Sequence, residues 1–295
     1  MRQLKTTEAA ALLEVASNTL RAWERRFGFP EPERSPGGHR FYSHGEVAAL
    51  RAALREGLSI SSAISHARAA LAADTESLVA ALLGYDHESA DRALETTLAL
   101  RSVERSVEEV LLPGLETIAG RMGAESAAWA FAARWAGDWL RRAKRFAPPA
   151  VTTMSILIGD GSRDELDLDA PHIRALELFC LRAGVEVLSL SARAINGLGD
   201  VASMHGPSVV VLAGRHVADD TAARWAYLVR RSVGPIPVAF YRAATPRTLN
   251  TVLPPEAGEA RRHVLDLADA SSPSPVRNFA AAASTVAAGR VIART

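Results

Sequence analysis

The stretch "SNTLRAWERRFGFPEPERSPGGHRFY", Ser17 to Tyr42, decides how the N-terminal end of this chain folds. Just upstream, "TTEAAALLEVA" is rich in helix formers; Thr6 or Thr7 can cap a first helix, and Ser17 can cap a second. Two short helices with so tight a connection have helix-turn-helix spacing. On the second, Leu20, Trp23 and Phe27 recur at three- and four-residue steps and face a core. That leaves Asn18, Thr19, Arg21, Arg25 and Arg26 on the other sides, and an arginine-bearing helix of this kind can enter a major groove. In "ERSPGGHRFYS", Pro36, Gly37 and Gly38 form a turn between two extended pieces. The pattern reads as a β-hairpin wing, with Arg34, His39, Arg40 and Tyr42 placed to meet phosphates. "SHGEVAALRAALREGLSISSAISHARAAL" then predicts a helix capped at Ser43, a break at Gly57, and a further helix capped at Ser59 or Ser61.

The remaining residues read as two more domains and a tail, with boundaries at 1–73, 74–147, 148–270 and 271–295 of the 295-residue chain. Lys plus Arg exceed Asp plus Glu by one, so DNA contact needs a local patch rather than a global basic field. The single cysteine, Cys180, excludes an internal disulfide and a multi-cysteine zinc site, no metal site is expected, and a reducing cytoplasm fits. No apolar run reaches the length that spans a bilayer, so no membrane association is expected.

From Asp74 to Phe146 the pattern is helical throughout, with breaks expected at Gly84, Arg101-Ser102, Pro113-Gly114 and Gly123. Val107, Val110, Leu111, Leu115 and Ile118 recur at helical intervals, which predicts a four-helix bundle. In its last helix Trp135 and Trp139 share a face, whereas Trp129 lies beside Ala132, Ala133 and Ala136. These rings are either core packing or the walls of a slot for a planar ligand.

From Val151 the chain alternates short apolar β-rich runs with amphipathic helices, as in a Rossmann-like, doubly wound parallel sheet. Neither GxGxxG nor a P-loop is present, and His172 and Cys180 read as ordinary positions, so an enzyme is not expected. "SPSPVRNFAAAASTVAAGRVIART" closes the chain as a linker and tail.

Met1 to about Leu71 resembles the winged helix-turn-helix of MerR-family transcription regulators, whose hallmark run is close to "TLRAWERRFG…GGHRFYS". The resemblance implies contacts to double-stranded operator DNA from the recognition helix and from a wing carrying Arg40 and Tyr42. It also implies a homo-oligomer, dimer or tetramer, on a two-fold operator. Trp23 reads as core, and Glu24 as a solvated or ion-paired residue of the same helix.

The order winged helix-turn-helix, helical bundle, Rossmann-like domain resembles the cobalamin-binding CarA/CarH/LitR type of MerR regulator, a group of photoreceptors and repressors. Those proteins ligate cobalt through the histidine of a Glu-x-His-x-x-Gly loop. Here "RDELDLDAPHIR" corresponds, with Asp169 near the histidine position and His172 near the glycine. A Trp-x9-Glu-His motif over the cofactor becomes Met122 with Ala132 and Ala133, and the glycine pair after the fourth strand becomes Tyr241 and Arg242. The expectation is therefore a DNA-binding regulator, a repressor by occupancy, whose C-terminal part mediates oligomerisation without standard His-ligated cobalamin. The alternative is a ligand or light sensor that holds a different tetrapyrrole or flat hydrophobic molecule, or cobalamin in an atypical mode, in the cleft of bundle and Rossmann-like domain, among Trp129, Ala132, Ala133, Trp139, Asp169, His172 and Arg242.

Overall fold

A computed structural model of the chain describes residues 4–34, 38–243 and 251–271. Of the turn expected at Pro36, Gly37 and Gly38, the first two residues lie outside them, as does the tail expected at 271–295 except Ser271, which ends a helix. The described residues form two compact units, one holding positions up to 146 with 163–175 and 256–258, the other holding the rest.

The first unit opens with β1 (Leu4–Lys5), α1 (Thr6–Leu12), α2 (Ser17–Phe27), β2 (Pro32–Arg34), β3 (Arg40–Tyr42) and α3 (His44–Arg55). The strands make an antiparallel sheet in the order β1-β3-β2, in which Leu4 pairs with Tyr42 and Arg34 with Arg40. Leu20, Phe29, Tyr42, Val47 and Leu50 are buried together, with Trp23 and Phe27 packed on them. The helix starts differ from expectation. Thr6 and Ser17 are already helical, Lys5 and Ala16 hold the N-cap positions, and the Lys5 amide is satisfied by the Glu8 carboxylate at 2.9 Å. Gly28, at φ +62°, ends α2 in the left-handed conformation that a residue without Cβ adopts most easily.

Ser59 caps α4 (Ile60–Leu83), its hydroxyl accepting from the Ser62 amide. This helix runs straight through the expected boundary at 73/74, since no glycine or proline interrupts it before Gly84. With α5 (His87–Leu100), α6 (Val103–Ser106), a π-helical turn (Val107–Leu111), α7 (Leu112–Met122) and α8 (Ala127–Arg145) it completes a helical bundle. Pro113-Gly114 is not a break. Proline sits in the first turn of α7, where its missing N–H costs nothing, and the π-turn absorbs the change of register.

In the second unit β4 (Ser155–Asp160), β5 (Glu186–Ser191), β6 (Val209–Ala213), β7 (Val238–Tyr241) and β8 (Thr251–Val252) form a wholly parallel sheet ordered β5-β4-β6-β7-β8. That is a doubly wound order. Its helices are α9 (Ala170–Arg182), of which the unit takes the part from Leu176, α10 (Leu198–His205), α11 (Asp219–Val233) and α12 (Ala257–Ser271), taken from Glu259. Trp225 of α11 is fully buried against the sheet and donates its indole N–H to Ala192 O at 2.7 Å. A Cβ on Gly159 would meet Leu212 Cδ2 at 2.6 Å and the Trp225 ring at 3.2 Å, so a side chain there would displace this packing. Cys180 is buried, and burial pushes its thiol up to about 12, which removes it as a nucleophile.

Candidate nucleic-acid interface

The apolar face of α2 fixes which of its residues reach solvent. Leu20 is buried, whereas Asn18, Arg21, Arg25 and Arg26 are exposed and Thr19 is half-buried. Arg21 and Arg25 are exposed, and among the described residues neither takes part in an ion pair. Arg26 lies over the Phe27 ring at 5.0 Å.

Glu24 joins this helix to the wing. Arg40 Nε donates to its two carboxylate oxygens at 3.2 and 3.0 Å, Tyr42 OH donates to Oε2 at 3.3 Å, and Arg34 lies 3.5 Å from Oε1. Only 14% of the Glu24 side chain is exposed, against 28% for Arg40 and 56% for Arg34. The Glu24–Arg40 contact is therefore the firmer of the two ion pairs. Tyr42 does not meet phosphate as expected. Register with Leu4 turns its ring into the core, it is fully buried, and burial followed by the Glu24 charge raises its pKa. Arg40 is half-buried and committed through Nε to Glu24, which makes it first a strut of the wing. At the C-terminal end of α2, Arg68 NH2 donates to Phe27 O at 2.9 Å and its guanidinium lies 5.5 Å from the Phe29 ring centre. This closes the helix end with a charge suited to its dipole.

The residues expected to hold a planar ligand are distributed otherwise. Trp129 is buried, and its indole N–H donates to Leu166 O at 2.7 Å, while Ala132 and Ala133 are fully buried beside it. The segment 163–175 thus belongs with the bundle, and its Leu166 carbonyl meets the edge of the Trp129 ring. Trp139 is half-buried; its neighbour on that face, Trp135, donates to Asp91 Oδ1 at 3.0 Å. Asp169 is fully buried, its amide donating to Asp167 Oδ1 at 3.0 Å, and His172 Nε2 lies 3.3 Å from Glu116 Oε1 of α7. Arg242 stands in the second unit at φ +52°, a strained backbone for any residue but glycine. Among the described residues no group of three His, Cys, Asp or Glu side chains could hold a metal ion. A groove of about 710 Å³ lies elsewhere in the bundle, between α4 and α7, lined by Thr75, Val79, Leu83, Arg101, Thr117 and Arg121 among others.

A recognition helix, a wing pinned to it and a supporting α3–α4 pair define a winged helix-turn-helix DNA-binding head. Residues 4–68 match the family described as "MerR HTH family regulatory protein", and this head is a MerR-type domain. The chain is similar to two repressors of Myxococcus xanthus, the HTH-type transcriptional repressors CarA and CarH. CarA is 46% identical over 70 residues, 22% of this chain and 24% of that protein; CarH is 31% identical over 135 residues, 38% of this chain and 45% of that protein. It is also similar to the HTH-type transcriptional regulator MlrA of Escherichia coli K12, 41% identical over 44 residues, 15% of this chain and 18% of that protein. The chain thus spans less than half the length of these relatives. Among the described residues no helix is long and apolar enough to cross a membrane.

Proposed function

We propose that the protein is an operator-binding transcription regulator that represses by occupancy. The observation that carries the reading is the pair of exposed arginines, Arg21 and Arg25, on a helix whose wing Glu24 holds in place. Arginine in a recognition helix serves both phosphate positioning and base-edge contacts. Asn18 and Thr19, one turn earlier, add hydrogen-bonding groups at the end of the helix that enters the groove. The C-terminal part supplies self-association, on a dimer or tetramer whose symmetry the operator mirrors. The buried carboxylate of Asp169 and the pairing of His172 with Glu116 support a regulator that works without standard His-ligated cobalamin.

Selection of genomic fragments by the purified full-length protein tests the reading. Enrichment of fragments sharing an inverted repeat, protected over both halves, is expected. Enrichment no greater than for random DNA at near-physiological salt rules it out.

A further inference from the structure

Head and bundle are joined within the first unit by a line of charges in which Glu46, Arg101 and Arg105 are buried. Arg105, at α6, has only 10% of its side chain exposed, places NH1 2.8 Å from Glu46 Oε1 of α3, and donates through NH2 to Glu31 O at 2.7 Å. Glu46 Oε2 accepts in turn from the Glu31 amide at 3.2 Å. One guanidinium thus closes a ring with α3 and with the loop that leaves the recognition helix. On the bundle side Glu109 Oε1 lies 3.4 Å from Arg105 NH1, its Oε2 lies 3.5 Å from Arg101 Nε, and Arg101 NH2 is 3.0 Å from Asp74 of α4.

The line passes through the π-turn, which holds Glu109 and its neighbour Glu108. Glu108 Oε1 accepts from the Gly258 amide at 2.8 Å, so consecutive residues of one turn grip the start of α12 and the arginines facing the head. Single π-turns inside α-helices recur at functional positions, because the extra residue re-aims the side chains around it. Beside the ring, Gly45 approaches so closely that a Cβ there would lie 2.5 Å from Leu100 O. A contact this near, oriented by a rigid planar fork, fixes a direction that apolar packing alone leaves free to slide.

We propose that Arg105 is a positioning residue for DNA recognition. With Glu46, Glu109 and Arg101 it locks the angle at which the bundle carries the winged head, and so sets the half-site spacing that a pair of heads accepts. The spacing part rests on the operator-binding reading above; the angular lock does not. Lysine at 105 keeps the charge but cannot reach Glu46, Glu109 and the Glu31 carbonyl together.

The test uses the full chain with spin labels on Glu56→Cys in the head and Glu95→Cys in the bundle, both exposed, and with Cys180 buried and unlabelled. Arg105 intact is expected to give one narrow distance distribution. Arg105→Met broadens it at least twofold and Arg105→Lys broadens it by less; if Arg105→Met does not fold, Glu46→Gln takes its place. Equal widths in every variant overturn the lock. In the second arm, operators whose half-sites are moved apart by one or two base pairs lose tenfold or more in affinity for the parent protein, but less than threefold for Arg105→Met, with single half-site affinity unchanged. A variant that discriminates spacing as sharply as the parent overturns the assignment of Arg105. Failure of every version to bind DNA overturns the operator reading and the spacing role, while the label distances still judge the lock.

Discussion

Replacing Glu24 by alanine removes a carboxylate that ties the recognition helix to the wing. Three donors lose an acceptor: Arg40 Nε, Tyr42 OH and the Arg34 guanidinium. Arg34 is more than half exposed and counts for almost nothing after solvent screening. Hydrogen bonds to a charged group each contribute roughly 1.5–3 kcal/mol where buried. Taking the lower figure for Tyr42 and a discounted one for partly exposed Arg40 gives a loss of about 2 kcal/mol. By the relation of about 1.4 kcal/mol per decade, the wing then opens about 30 times more often. Amide hydrogen exchange at Phe41 and Tyr42, whose register with Lys5 and Leu4 defines the small sheet, reports this directly. Exchange is expected to accelerate by that factor in Glu24→Ala and by less in Glu24→Gln, with α8 amides unchanged. Unaltered exchange at β3 together with unaltered DNA affinity would falsify the clamp.

Further consequences concern the bundle and the head it carries. Trp129→Ala, which deletes a buried ring and its bond to Leu166, is expected to lower the stability of the first unit by about 3–5 kcal/mol, and Trp129→Phe by about 1 kcal/mol, in denaturant melts followed by far-UV dichroism. Gly45→Ala forces a methyl against the Leu100 carbonyl oxygen and is expected to cost about 1–3 kcal/mol in the same melts. Burial, outweighing Arg105, pushes Glu46 up to about 7 from its usual 4.5. An acid whose pKa is raised on folding contributes stability that is fully present below the lower value and is lost as pH rises through the upper one. The melting temperature of the first unit is therefore expected to fall as pH rises from about 4.5 to about 7 and to level off above that, and Glu46→Gln is expected to flatten that fall.

The elements that local chemistry dictates were legible in the sequence. The apolar spacing of Leu20, Trp23 and Phe27 places the buried side of α2, the Ser59 cap and the Gly84 stop bound α4, and the βα alternation gives the parallel sheet. What escaped depends on partners far apart in the chain. Tyr42 reads as a phosphate contact because nothing near it reveals a two-residue strand at Leu4–Lys5 that turns its ring inward. Pro113-Gly114 reads as a break because a π-turn leaves no compositional mark. The bond from Trp129 to Leu166 and the ion pair from Arg105 to Glu46 join segments with no pattern in common. A bulky ring among alanines signalled a space to be filled; the sequence did not say that the ring itself is buried there, with its N–H bonded to Leu166 of the segment 163–175.

Binding of a selected operator fragment by the full-length protein, followed by fluorescence anisotropy from about 50 to 200 mM salt, tests the central claim most directly. For Arg21→Ala, affinity is expected to fall at every salt concentration and the slope of log K against log salt to shrink by about one relative to the parent protein. Parent-like affinity and slope in Arg21→Ala and in Arg25→Ala alike would contradict the assignment of this helix face to DNA.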